Sequence, residues 1–261
     1  MCGRPRQALQ GLTALEFIGE PDVSRGVRER RFDHIVDGET VPGILWTPED
    51  APDETRPLVL IGHGGSQHKR APNVLALARR LVRHLGFAAA AIDGPLHGDR
   101  LDDDQPLTIE ERMRLDQNDV ARRFRAAREE WRETLTALKQ LPDVGDGPTG
   151  YWGLSMGTVI GLPYVASEPR IGAAVLGLMG IPADSRGEAA RAVTCPVLFL
   201  VQWDDEIVKR TDALALFDTL GTKNKTMHVN PGLHSSVPAF EIQASEEHFA
   251  KHLTARARSN T

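Results

Sequence analysis

Thr149-Gly150-Tyr151-Trp152-Gly153-Leu154-Ser155-Met156-Gly157-Thr158 sets the reading of the chain, because it contains Gly153-x-Ser155-x-Gly157. In such a motif a strand ends, the backbone turns sharply, and a helix begins. The serine sits at the tip in a strained conformation with its hydroxyl pushed out of the sheet. Glycines flank it because a Cβ at either place would collide with the neighbouring strand or helix. Tyr151-Trp152 fits the end of a strand, and the apolar run 158–162 fits the start of a buried helix. Alone, the string reads equally well as a glycine-rich turn, so the surrounding chain decides.

Outward from this point, short apolar runs alternate with helical patterns. Toward the N-terminus, 28–36 and 40–46 flank the turn-like Asp37-Gly38-Glu39 and predict an antiparallel hairpin. The continuous apolar runs 58–61 and 87–92 predict strands buried on both faces. Between them, 72–85 predicts a helix opened by Pro72 and closed by Gly86. Toward the C-terminus, 171–178, 196–201 and 225–229 predict strands, and 211–220 and 238–257 predict helices. At the start of the chain, Leu9, Leu12, Leu15 and Ile18 recur at helical spacing and predict a short amphipathic helix over 4–20. The stretch 99–133 carries 11 acidic residues and 8 arginines. Together with 109–141 it predicts one or two surface helices, with Met113, Val120, Phe124, Trp131, Leu135 and Leu138 on the buried side. The pattern implies an α/β fold: a mostly parallel, eight-stranded twisted sheet with helices on both faces and no large cap. One domain is expected over 1–261, with 1–27 an N-terminal extension and 99–133 a charged helical insertion that could cover the site.

Composition narrows the function. The chain has 261 residues, 41% of them hydrophobic, enough for one large core. A net charge of -5 gives no electrostatic case for nucleic acid. Cys2 and Cys195 lie too far apart in sequence to suggest a disulfide framework. No apolar run approaches membrane-spanning length and no signal-peptide pattern opens the chain, so a cytoplasmic location and no membrane partner are expected. No metal-ligand spacing and no phosphate-cradling motif occurs, so no metal and no cofactor are expected.

In sheets of this kind, sites form at the C-terminal ends of strands. Four polar groups fall there: Gly64-Gly65, Ser155, Asp204-Asp205 and His234. A serine hydroxyl needs a base in hydrogen-bond reach, and the base needs a group that fixes its tautomer. The order Ser, Asp, His suits such a relay, with Asp204 or Asp205 as the acid and His234 preferred to the strand residue His228. Glycines after a strand leave N–H groups free to face developing negative charge.

These stretches resemble the α/β-hydrolase superfamily over about residues 30–255. They are His63-Gly64-Gly65-Ser66, the run from Asp93 to Arg100, Gly153-Leu154-Ser155-Met156-Gly157, Asp205-Glu206-Ile207-Val208 and Gly232-Leu233-His234. The likeness is strongest to esterases and lactonases related to dienelactone hydrolase and to the prolyl-oligopeptidase catalytic domain. It implies Ser155 as nucleophile, Asp205 as orienting acid and His234 as base. It also implies an oxyanion hole from the N–H groups of Gly65 and Met156. Asp205 fits better than Asp204 because Val208 follows it by three, as in the family's turn. The chain departs from dienelactone hydrolase in having a serine, not a cysteine, at the elbow, so the lactone substrate does not carry over. Trp203 stands where a small residue often precedes the acid.

The expected activity is hydrolysis of a small-molecule ester through an acyl-enzyme. Acyl transfer, amide cleavage and carbon–carbon cleavage on the same triad are the alternatives, and a non-catalytic binding protein is the alternative of another class. Ser66, His97, Leu101, Leu107, Met113 and Trp203 are candidate pocket residues, with the acyl chain expected against Leu101, Leu107 or Met113. His63, and His97 with Asp93 and Arg100, also read as braces of their loops.

Overall fold

A computed structural model describes residues 14–50, 53–101, 117–181 and 187–258. Nine strands form one sheet: β1 (Glu16–Ser24), β2 (Val27–Val36), β3 (Glu39–Pro48), β4 (Leu58–Gly62), β5 (Ala88–Ile92), β6 (Thr149–Leu154), β7 (Ile171–Gly177), β8 (Val197–Gln202) and β9 (Lys225–Asn230). Their order across the sheet is β1-β2-β3-β5-β4-β6-β7-β8-β9. β1 to β3 form an antiparallel meander, β3 joins β5 antiparallel, and every pairing from β5 to β9 is parallel. Among the described residues the α-helices are α1 (Pro72–Leu85), α2 (Gln117–Lys139), α3 (Met156–Ser167), α4 (Glu188–Ala192), α5 (Arg210–Thr219) and α6 (Phe240–Arg258).

The central strands are covered on both faces, which is why they read as unbroken apolar runs: every residue of β4, β5, β6, β7 and β8 is buried. Consecutive side chains point to opposite faces. Tyr151 joins Trp131 of α2 and Tyr164 of α3 on one face. Trp152 joins Leu77 and Leu81 of α1 and Phe249 and Leu253 of α6 on the other. Burying a large apolar side chain contributes roughly 1.5–3 kcal/mol, so these two layers fix the strand register. α1 ends as its sequence predicts. Gly86 takes a left-handed φ of 66°, and the N–H groups of Gly86 and Phe87 return to the carbonyls of Val82 and Leu81.

Two expectations are corrected. Residues 16–20, placed in an N-terminal helix, belong instead to strand β1, and 1–13 lie outside the described residues. Phe17 pairs with Phe32 and Ile18 with Arg31 along the edge of β2. The strand escaped notice because every one of its residues is exposed, so no burial imposes an alternating pattern. It also raises the strand count from the expected eight to nine. In the charged stretch, α2 runs from Gln117, with Trp131, Leu135 and Leu138 buried, while 102–116 lie outside the described residues.

Candidate active site

Ser155 links β6 to α3 with φ 55° and ψ -119°, a left-handed backbone that a non-glycine residue adopts only under constraint. The constraint is visible. The Ser155 N–H donates to Gly177 O at 3.0 Å, and Thr158 Oγ1 lies 2.7 Å from the carbonyls of Gly153 and Gly177. The flanking glycines are required by contact: a Cβ on Gly153 would stand 2.6 Å from Gly157 O, and one on Gly157 would stand 2.6 Å from Gly62 O. α3 thus begins hard against the end of β4.

Three side chains from three strand ends meet here. His234, in the loop between β9 and α6, has Nε2 2.8 Å from Ser155 Oγ and Nδ1 2.8 Å from Asp205 Oδ2. The carboxylate is oriented in turn, because Asp205 Oδ1 accepts the N–H groups of Ile207 and Val208, each at 2.8 Å. A carboxylate at Nδ1 can only accept, so Nδ1 carries the proton and Nε2 faces the serine as an acceptor. The His234 loop is pinned by its own N–H to Glu206 Oε2 at 2.8 Å and by Gln202 Nε2 to Leu233 O at 3.2 Å. Asp204 does not reach His234; it accepts the Gly232 N–H at 3.2 Å. His228 bonds Glu241 at 2.9 Å, away from the serine.

Ser155 and His234 open onto a cavity of about 460 Å³. Its apolar wall holds Trp152, Leu154 and Leu200 from the sheet, Leu178 just after β7, Val237 just before α6 and Ile242 in its first turn. Gly65 lies at its edge after β4, together with Pro72 and Asn73 of α1. Met156 is the first residue of α3, and the N–H groups of a helix's first turn have no partner inside the helix.

The other candidate residues stand elsewhere. Ser66, His97, Leu101 and Trp203 do not line this cavity. His97 is buried in the loop after β5, with Nδ1 2.8 Å from Pro95 O. Trp203 is exposed just past the end of β8, where the Arg210 guanidinium stacks 3.8 Å over its ring. Leu101 follows the short turn Gly98–Arg100, and Ser66 is exposed with φ 59°. Leu107 and Met113 lie outside the described residues. Sequence reasoning missed the α1 and α6 contributions. One signal pointed to the second of these: 237–245 follows His234 so closely that it has to pass beside the serine.

Asp93, fully buried, accepts the Lys69 N–H at 2.8 Å and forms an ion pair with the Lys69 ammonium, which also meets Asp99 at 2.7 Å. Arg100 grips Glu130 of α2 with two bonds of 2.8 and 2.9 Å. These contacts tie the loops after β4 and β5 to each other and to α2. Among the described residues, no group of three or more His, Cys, Asp or Glu side chains is placed to hold a metal ion, and no helix is long and apolar enough to cross a membrane.

A parallel sheet flanked by helices, with a serine elbow and a histidine after the last strand, defines the class as an α/β-hydrolase fold. Solved structures agree. A cold-adapted esterase from an Arctic intertidal metagenomic library is 40% identical, with a TM-score of 0.77 over 91% of this chain and 99% of that one. Acetyl xylan esterase 1 from Thermoanaerobacterium sp. has a TM-score of 0.71 at 16% identity, covering 92% of this chain and 88% of its own. Dienelactone hydrolase from Anabaena variabilis has a TM-score of 0.63 at 20% identity, covering 88% of this chain and all of its own; at such identities the likeness is one of fold. No protein-family model and no curated protein matches the chain. The chain belongs to the α/β-hydrolase superfamily, with the esterases of that fold.

Proposed function

We propose that this protein hydrolyses carboxylic esters through an acyl-enzyme on Ser155. The observation that carries the reading is the unbroken hydrogen-bond chain Ser155–His234–Asp205, with both links 2.8 Å, at the mouth of an apolar cavity. Ser155 Oγ attacks the ester carbonyl carbon as its proton passes to His234 Nε2. Asp205 holds the ring in the tautomer that accepts this proton and stabilises the imidazolium that forms. The N–H groups of Gly65 and Met156 face the oxygen on which negative charge develops. Collapse expels the alcohol, which takes the proton from His234 and leaves the acyl group on Ser155. Water, deprotonated by His234, then attacks the acyl carbon. The acid departs, and the proton returns from His234 to Ser155 Oγ.

The cavity supports an apolar acyl group. Trp152, Leu154, Leu178, Leu200, Val237 and Ile242 give it a wall for an aliphatic or small aromatic chain, and its size falls within the ordinary range for small-molecule sites. The esterase neighbour at 40% identity supports the same bond type. A fluorophosphonate probe tests the nucleophile directly. Labelling should occur in the wild type and be absent in Ser155→Ala, with ester turnover lost in parallel. Equal turnover in the two proteins would overturn the assignment.

A further inference from the structure

Two buried histidines, His63 and His97, face each other across the loops that follow β4 and β5, with ring centroids 5.3 Å apart. Their contacts are reciprocal. His63 Nδ1 lies 2.8 Å from Gly64 O in its own loop, and its Nε2 accepts the Gly94 N–H of the other loop at 2.9 Å. His97 Nδ1 lies 2.8 Å from Pro95 O in its own loop, and its Nε2 accepts the Ser66 N–H of the other loop at 3.3 Å. A carbonyl can only accept and a backbone N–H can only donate. Both rings are therefore neutral and share one tautomer, protonated at Nδ1.

We propose that His63 and His97 are positioning residues that clamp the Gly64-Gly65 loop in the conformation an oxyanion hole needs. The inference rests on the reading that Gly65 and Met156 supply the N–H donors. Ser66, next to Gly65, has a left-handed φ of 59°, a strained position inside a turn closed by the Gln67 N–H on Gly64 O at 3.3 Å and the Gly64 N–H on Gln67 Oε1 at 3.0 Å. The bond from the Ser66 N–H to His97 fixes it from outside. The same device touches the side chain of the residue that carries the second donor. A Cβ on Gly94 would stand 3.2 Å from Met156 Cε and 3.4 Å from His63 Nε2, so Gly94 packs between the clamp and the residue after Ser155.

Burial keeps the His63 ring neutral against the pull of the nearby carboxylate. Asp93 and His68 face His63, and Glu130 of α2 lines the same small gap as His63, Gly94 and Met156. Asp93 is neutralised by Lys69, and Glu130 by Arg100. Burial, reinforced by the neighbouring His97, lowers His63 to about 4. The clamp on the His63 side therefore stays closed across the range in which an ordinary histidine titrates.

Proton–nitrogen correlation spectra of isotope-labelled wild-type protein test the clamp without any substrate. Both rings should show the Nδ1–H tautomer at neutral pH, and His63 should stay neutral until the pH approaches about 4. His97→Phe removes the acceptor and should lower kcat about tenfold or more with little change in KM, since losing a whole oxyanion donor costs about 10²–10³. His97→Gln, whose side-chain oxygen can accept the Ser66 N–H, should recover most of that loss. An Nε2–H or charged ring at neutral pH overturns the proposal, as does a pair of His97 variants that differ in thermal stability but keep wild-type kcat. Ser155→Ala, measured alongside, decides the ester-hydrolysis reading separately, because the ring spectra do not depend on it.

Discussion

At the scale of single residues, the sequence displays the groups that carry the proposed chemistry but not the choice between neighbours. Ser155 stands out because its two glycines answer to contacts of 2.6 Å, and His234 because a turn follows the last strand. Asp204 and Asp205 are chemically alike, and only the three-dimensional turn separates them: one carboxylate meets His234 Nδ1, and the other meets a backbone N–H. Asp205→Asn should therefore lower kcat by about 10⁴, the loss known for a triad whose histidine is held in the wrong tautomer. Asp204→Asn should cost less than tenfold, and steady-state kinetics on a chromogenic ester would show a reversed order if the acid were Asp204. The histidine partners were illegible for a different reason. Which nitrogen accepts depends on backbone groups 31 residues away, and no local pattern encodes that. His63 also makes a prediction on stability. Its native pKa of about 4 lies below the ordinary 6.5, so its contribution is complete above about pH 6.5. As the pH falls toward 4, the unfolded chain takes up a proton that the native site refuses, and stability declines by about 3 kcal/mol at most. Thermal midpoints measured over this range should fall less steeply in His63→Gln than in the wild type.

At the scale of elements, periodicity located the buried strands well and the site walls poorly. Strands β4 to β8 announce themselves because burial on both faces leaves no place for polar residues. Cavity walls carry no such signature, since an apolar side chain facing a cavity looks the same in sequence as one facing a core. The acyl chain is expected against Leu101, Leu107 or Met113, of which only Leu101 lies among the described residues. Leu101 stands away from the cavity, and the described wall comes from the sheet, α1 and the beginning of α6. Ile242→Trp should then shorten the preferred acyl chain, because the larger ring takes space next to Val237 and Trp152. Each displaced methylene should cost about 1–3 kcal/mol in kcat/KM, or 10–200-fold. Leu101→Ala should leave the chain-length profile unchanged. A series of p-nitrophenyl esters of increasing length checks both, and a profile that shifts with Leu101 but not with Ile242 would place the acyl group on the other side of Ser155.

At the scale of the whole molecule, the two edges of the sheet are unequal. The β9 edge lies beside the site and is anchored by Lys225, whose ammonium meets the carbonyls of Phe217, Asp218 and Leu220 at 2.8–3.1 Å at the end of α5. The β1 edge lies at the opposite end of the sheet order, all nine of its residues are exposed, and it contributes nothing to the cavity. Its ladder with β2 is broken by a register shift between Ile18 and Asp22. What it adds is local: Phe17 packs edge-on to the buried Phe32 at 6.4 Å, and the Arg30 guanidinium lies 4.6 Å from the Phe17 ring. Removing residues 1–24 should therefore cost a small part of the total stability, with each lost kcal/mol lowering Tm by about 2–4 °C. The uncovered β2 carries Arg28, Glu29, Arg30, Arg31 and Asp33, a charge density that opposes strand-to-strand aggregation at a new edge. The truncated protein should remain soluble and keep kcat within about twofold, because in the proposed mechanism every transition-state contact comes from strand ends on the other side of β3. Calorimetry and ester kinetics on the shortened chain decide the matter. A large loss of kcat with Tm nearly unchanged would show that the N-terminal segment takes part in the site.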